Sequence, residues 1–237
     1  MTPRDVTAEL PSRPIGFDHV ETWIFDLDNT LYPASCRLFD QVDRRIGEFI
    51  AEHLGVDPVE ARRLQKSYFR EYGTTLNGLM TRHGIDPQRY LDYVHRIDLS
   101  AVSPSPALAA ALTRLPGRKL VYTNGSAAHA DRVMARLGVR EHFGAVFDIV
   151  AGDFVPKPKK ESYRALVERH AIAPERAALI EDLPQNLLPA AALGMTTVLV
   201  RTDVEWAQAG AEGEHIHHVT DDLVVWLESV VADLAAG

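Results

Sequence analysis

Asp26 and Asp28 stand one residue apart in the stretch Ile24–Pro33, IFDLDNTLYP, where an apolar run ends in two acids and then a proline. Alternation along an extended chain points both carboxylates the same way, with Phe25 and Leu27 opposite. Two neighbouring carboxylates repel each other, so a cation is expected between them. A third acid, Asp182, follows Glu181 in EDLPQN. Asp26, Asp28 and Asp182 offer hard oxygen ligands suited to Mg2+, which favours octahedral oxygen geometry and keeps several waters. Lys157 adds a compact positive charge able to meet a phosphate. Thr123 adds a hydroxyl donor, and the amides of NGSA (124–127), at a helix start, add more donors for an anion. Carboxylates, a divalent cation, a lysine and an anion cradle together describe phosphoryl transfer.

Positioning these groups requires a scaffold. Short apolar runs at 22–27, 119–124, 145–150, 178–182 and 196–200 read as buried strands bounded by turn residues or charges. Helical patterns cover about 127–138, 160–170, 185–193 and the C-terminal DDLVVWLESVVADL. This alternation implies an α/β fold with a doubly wound parallel sheet covered on both faces. Between residues 34 and 103 the pattern is helical throughout, too long for a crossover and long enough for a small bundle. It reads as a cap inserted after the first strand, leaving 18–33 and 104–237 as the core, with SPSP (103–106) stiffening the junction. Ligands of open parallel sheets sit outside the carboxyl ends of the strands. Asp26 and Asp28, Thr123 and Asn124, the AGDFVPKPKK loop, and Glu181 with Asp182 all fall there.

Bulk properties narrow the partners. A formal net charge of -8 over 237 residues, without a basic stripe, disfavours nucleic acid. The single cysteine, Cys36, suits a reducing cytosol and lacks a nearby activating base. The first twenty residues lack the apolar core of a signal peptide, and Leu187–Val200, interrupted by Pro189 and Gly194, is too short to span a bilayer. A soluble cytoplasmic protein is expected.

The motifs resemble a known family. DLDNT is similar to the first motif of the haloacid dehalogenase superfamily, YTNG to the second, PKP to the third and EDLPQN to the fourth, in order and at strand ends. YGTTLNGLM, YVHRIDLS, LPGRKLVYTNGS, HFGAVFDIVAGDFVPKPKKESY and LGMTTVLV extend the likeness from about Thr22 to Leu227. They resemble the pyrimidine 5'-nucleotidase-like branch with a helical cap. The resemblance implies Asp26 as a nucleophile that becomes an aspartyl phosphate, and Asp28 as the acid and then the base. It implies Thr123 and Lys157 as phosphate-orienting groups, with Asn124 and Gly125 in the same loop. Asp26, Asp182 and the backbone carbonyl of Asp28 would hold Mg2+, with Glu181 acting through water. KPKK places three lysines in four positions, and Lys157 is the one preceding Pro158; Lys159 and Lys160 are its alternatives.

Within the cap, Tyr72, Thr75 and Asn77 of YGTTLNGLM are expected to meet the substrate beside Thr74, with Gly73 allowing close approach. A small phosphate ester, first of all a pyrimidine nucleotide, is the expected substrate. A metal-free haloacid dehalogenase is disfavoured because Asp28 has no task in carbon–halogen cleavage; a phosphate-transferring mutase stays open. A phospho-aspartate receiver lacks a cap of this length, and no G-x-G-x-x-G follows the first strand for a dinucleotide. Plainer readings exist for several features. DLDNT suits a turn. Glu181 and Asp182 suit a helix cap near Pro184. Tyr68, Phe69, Tyr72, Tyr90 and Tyr93 suit the cap's own core. HIHH (215–218) lacks a further ligand at useful spacing for zinc and reads as a solvated loop.

Overall fold

The computed structural model describes residues 16–202 and 211–236, so the stretch read for a leader lies, up to residue 15, outside the described residues. Six strands form one parallel sheet: β1 (Thr22–Phe25), β2 (Arg118–Tyr122), β3 (Ala145–Phe147), β4 (Ala177–Glu181), β5 (Thr196–Val200) and β6 (His218–Thr220), in the order β3-β2-β1-β4-β5-β6. β1 lies between β2 and β4, with Phe25 opposite Val121 on one side and Ile180 on the other. The chain order therefore reverses beside β1, which puts the Asp26 end at the crevice where open α/β sheets bind ligands.

The helices of the sheet are α5 (Pro106–Arg114), α6 (Ala127–Leu137), α7 (Lys160–His170), α8 (Pro184–Ala192) and α9 (Leu223–Ala236). Period-two alternation assigns the strand residues to two faces. Trp23, Phe25, Val121 and Ile180 pack with Leu108, Leu112, Val133, Met134 and Leu227, so α5, α6 and α9 cover one face. Ile24, Leu120, Leu179 and Leu199 pack with Tyr163, Leu166 and Leu187, so α7 and α8 cover the other. All five expected strands are present, four with small or no shifts at their ends, whereas β3 stops at Phe147 and only the first half of the run expected over 145–150 is strand.

Two elements depart from the sequence reading. SPSP is more than a stiff junction: Ser105 accepts from the amide of Leu108, and Pro106 opens α5 at its first position. HIHH is not a solvated loop. His218 begins β6; His217 Nδ1 accepts from the amide of Thr197 at 3.0 Å, and His215 Nε2 lies 3.0 Å from the carbonyl of Pro184. A three-residue strand carries too little pattern to stand out from a loop, and its ladder with β5 decides it.

Between β1 and α5 run α1 (Leu38–Leu54), α2 (Pro58–Tyr72), α3 (Thr75–His83) and α4 (Pro87–Val94). α2 and α4 start with one device, an aspartate (Asp57, Asp86) capping the first turn and a proline in it. Phe49, Ile50, Tyr68, Leu79, Tyr90 and Leu91 form a cluster of their own, which also takes in Ile149 from the loop after β3. Tyr68 and Tyr90 are buried there, whereas Phe69 is exposed. No helix among the described residues is long and apolar enough to cross a membrane.

α2 and α3 approach so closely that a Cβ added to Gly78 would lie 2.4 Å from the Cβ of Tyr68. In an open helix, alanine for glycine is worth up to about 1 kcal/mol in favour of folding. Here overpacking reverses the sign: Gly78→Ala is expected to lower the unfolding free energy by about 1–3 kcal/mol. Urea unfolding measures it, and a midpoint equal to or above the parent's would refute the close contact.

Candidate functional site

The site begins where β1 stops. The amide of Asp26 still donates to the carbonyl of Ile180, continuing the ladder, and the chain then turns through Asn29 at a positive φ of 61°. Asparagine tolerates that left-handed conformation better than most residues. The turn brings the Thr30 hydroxyl to 3.3 Å from Asp26 Oδ2 and the Tyr32 hydroxyl to 2.6 Å from Asp28 Oδ1. DLDNT is a turn, and the turn is what aims its two acids.

Lys157 lies at the centre, buried with 3% of its surface exposed. Its ammonium donates to Asp26 Oδ1 at 2.6 Å, Glu181 Oε1 at 2.7 Å and the carbonyl of Tyr122 at 3.0 Å. Those three acceptors use its three donors. The Tyr122 ring adds a cation–π contact at 5.0 Å. Lys159 and Lys160 are exposed, so Lys157 is the lysine that faces Asp26. The position of its backbone comes from Asn124, which accepts from the amide of Lys157 at 2.8 Å and donates to its carbonyl at 3.2 Å.

Asp26, Glu181 and Asp182 offer ligand oxygens that lie within 4.8 Å of one another, all buried. Burial, with the Glu181 and Asp28 charges adding to it, outweighs Lys157 and pushes Asp26 up to about 7. Asp182 is driven well above the usual carboxylate range by burial and then by the charges of Glu181 and Asp26. Burial acts on Glu181 in the same direction, but Lys157 and the amide of Leu183 overcome it and hold Glu181 low. Three acids thus share one lysine. A hard divalent cation such as Mg2+ fits this oxygen set and its excess negative charge.

Asp28 has a different setting. Burial would raise it, yet His129 and the Tyr32 hydroxyl hold it below the usual carboxylate range. His129 Nε2 lies 3.2 Å from Asp28 Oδ1. Thr123 is buried and its Oγ1 accepts from the amide of Gly125 at 2.9 Å, which leaves its hydroxyl hydrogen to donate elsewhere.

Several expected ligand groups already have partners. The Thr75 hydroxyl is buried and donates to the carbonyl of Gln65, so it is no free donor for a substrate. The Asn124 side chain clamps Lys157, and the Gly125 amide serves Thr123. At the start of α6 the amide of Ala127 donates to Asp148 Oδ2, so the expected anion cradle is partly filled by an internal carboxylate. Glu181 bonds Lys157, the Leu183 amide and Asn186 Nδ2, and no side chain caps α8. Tyr72 and Asn77 remain partly exposed. They flank a glycine whose added Cβ would touch Pro156 at 3.2 Å, so α2 and α3 meet beside the loop that carries Lys157.

The side chains of Tyr32, His95, Ser126, His129 and Asn186 carry no role in the sequence reading, although the Ser126 amide belongs to the expected cradle. Tyr32 and Asn186 had a signal, since each stands within five residues of a recognised acid. The others lie far from Asp28 in the chain.

Three likenesses accompany this geometry. The chain is 28% identical over 197 residues to Phosphate metabolism protein 8 of Saccharomyces cerevisiae, covering 76% of this chain and 61% of that protein. It is 29% identical over 200 residues to the glyceraldehyde 3-phosphate phosphatase of Methanopyrus kandleri, covering 77% of this chain and 84% of the relative. The fold matches that of a HAD phosphatase from Thermococcus onnurineus with a TM-score of 0.61 at 14% identity, over 90% of this chain and 98% of the other. The family model for haloacid dehalogenase-like hydrolases matches residues 20–194, the span that contains Asp26, Asp28, Thr123, Lys157 and Asp182, and the chain belongs to that family.

Proposed function

We propose that this protein is a Mg2+-dependent phosphomonoesterase that works through an aspartyl phosphate on Asp26, with a pyrimidine nucleotide monophosphate as its substrate. The observation that carries the reading is the buried Asp26–Lys157 contact of 2.6 Å inside a cluster of three acids. A nucleophilic carboxylate needs a fixed orientation, and a phosphate dianion needs positive charge waiting for it. Relatives named for phosphate metabolism and for glyceraldehyde 3-phosphate hydrolysis support phosphate esters as the substrate class.

Asp26 and Asp182, with the backbone carbonyl of Asp28, would hold Mg2+, which when bound neutralises the carboxylates and the phosphate oxygens. The Asp26 carboxylate attacks phosphorus and the ester P–O bond breaks, its electron pair leaving with the substrate oxygen. Asp28 gives that oxygen a proton. Water then attacks the phosphoaspartate, Asp28 takes the water's proton, and inorganic phosphate departs as Asp26 is restored. In the free protein Asp28 favours its charged form; an incoming phosphate dianion, as a like charge, shifts it toward the protonated form that the first step needs. Lys157 attracts the phosphate through its charge, its three N–H groups being engaged, and the Thr123 hydroxyl hydrogen is the donor left to orient it. Residues 34–103 act as the cap that excludes water, and Tyr72 and Asn77 read the leaving group.

Asp26→Asn is expected to abolish turnover on every ester with the fold intact by circular dichroism, because an amide forms no phosphoenzyme. Near-normal turnover in that variant would remove the mechanism.

The acids also set a pH dependence. Without metal, Asp26 titrates near 7 in the folded chain against an ordinary value of 3.8, and Asp182 is raised as well. The folded state then binds more protons than the unfolded one between those limits, so stability falls as pH rises from about 4 to about 7. Glu181 and Asp28, shifted downward from 4.5 and 3.8, contribute stability that is lost only as pH falls, at the lower edge of this window and below it. Mg2+ at a hundred times its dissociation constant should restore about 2.7 kcal/mol. Thermal melts across pH with chelator or Mg2+ check both effects. A flat chelated profile, or undiminished hydrolysis in excess chelator, would count against the metal site.

For substrate choice, kcat/KM on UMP or CMP is expected to exceed that on AMP or GMP by roughly 10–200-fold, the worth of a few contacts. Asn77→Ala should narrow that gap more than it changes turnover of an aryl phosphate. A clear preference for a sugar phosphate would keep the chemistry and end the nucleotidase assignment.

A further inference from the structure

We infer that His129 is a positioning residue that decides which oxygen of Asp28 carries the proton during turnover. This rests on reading Asp28 as the acid and base. The observation is that two donors converge on one atom: the Tyr32 hydroxyl at 2.6 Å and His129 Nε2 at 3.2 Å both meet Asp28 Oδ1. With Oδ1 engaged twice, Oδ2 is the oxygen left to give and take a proton.

The histidine is built to hold that orientation. Its side chain is fully buried, and a carboxylate oxygen only accepts, so Nε2 carries the hydrogen. Its Nδ1 is buried without a hydrogen-bond partner, so Asp28 is the polar group that orients the ring. The His95 ring stacks on it with centroids 4.4 Å apart and planes 9° from parallel. His95 Nδ1 meets Ser126 Oγ at 2.9 Å, and that same oxygen accepts from the backbone amide of His129 at 3.3 Å.

The arrangement reaches the helical insert. His95 directly follows α4, whereas Ser126 and His129 belong to the start of α6. The contact is tight: a Cβ on Gly125 would sit 3.3 Å from Thr123 Oγ1 and 3.5 Å from His95 Nε2. Seating the insert against α6 therefore also fixes the ring that fixes Asp28.

The test compares His129→Leu, which removes the donor at similar volume, with His129→Gln, which keeps an N–H. Single turnovers are measured with Mg2+ on glycerol phosphate and on 4-nitrophenyl phosphate. An alkoxide needs a proton to leave and 4-nitrophenolate does not. The leucine variant is expected to lose about 100-fold on the alkyl ester but less than about threefold in the first turnover of the aryl ester. Slowed hydrolysis of the phosphoenzyme should then appear as a burst of 4-nitrophenol. Glutamine should recover most of the alkyl-ester rate, and in an Asp28→Asn background the leucine change should add no further loss. Equal losses on both esters, or additive loss with Asp28→Asn, would overturn the inference and leave His129 a packing residue. If the leucine variant does not fold, His95→Ala takes the same comparison, with the same selective loss expected and equal losses again overturning it. UMP stands in for glycerol phosphate if that ester is not turned over, and a wild type inactive on all three esters would overturn the phosphatase reading itself, and this inference with it.

Discussion

The ammonium of Lys157, buried among Asp26, Glu181 and the carbonyl of Tyr122, is the contact around which the rest of the site is arranged. Removing a charge from water costs several kcal/mol even after relaxation, and only good geometry with every donor satisfied offsets it. Here three acceptors meet three N–H groups. They arrive from the ends of β1, β2 and β4, so the contact forms only when the three strands lie side by side in register. Glu181 is in turn satisfied by Asn186 and the Leu183 amide, and the Lys157 backbone by Asn124. Losing one partner would leave a buried charge uncompensated, which is why so many residues at this edge serve the lysine rather than a ligand.

That arrangement leaves the site short of positive charge. One lysine faces three acids, and the imbalance falls on Asp26 and Asp182, whose carboxyls are raised, while Glu181 keeps its charge beside the ammonium. Asp28 stands one residue from Asp26 yet is held low by His129 and Tyr32 against the effect of burial. Environments that push two neighbouring carboxyls in opposite directions are the usual physical basis for giving them different tasks. β1 ends at Phe25, so the alternation expected to point both carboxylates the same way does not carry through: Asp28 meets His129 of α6, and Asp26 meets Lys157.

The helical insert meets the sheet at the same edge. Ile149, two residues beyond β3, is buried in the insert's cluster, and Phe154 packs against it. The loop that carries Lys157 is thus bounded by the sheet below and by α2, α3 and α4 above. His95 reaches from the end of α4 to α6, and Gly73 lies against Pro156. Packing of the insert and the buried charge of Lys157 thus share one short stretch of chain, 149–157.

Much of this was legible in the amino-acid sequence because it depends on local chemistry. Strands buried on both faces must be continuous apolar runs, and reactive side chains at their ends must be acids, a lysine and hydroxyls; both patterns survive in one dimension. α5 and β6 were less legible, one hidden behind prolines and the other too short for a pattern. Partnership was not legible at all. His129 meets Asp28 across 101 positions and Ser126 meets His95 across 31. The side-chain types of Thr75 and Asn124 suit a ligand and a backbone equally well, and the fold committed them to Gln65 and Lys157. The sequence by itself determined which groups can do chemistry and which strand ends carry them. Only the tertiary structure decided which donors remain available, because a hydrogen-bonding group is claimed by whichever partner packing brings within about 3 Å.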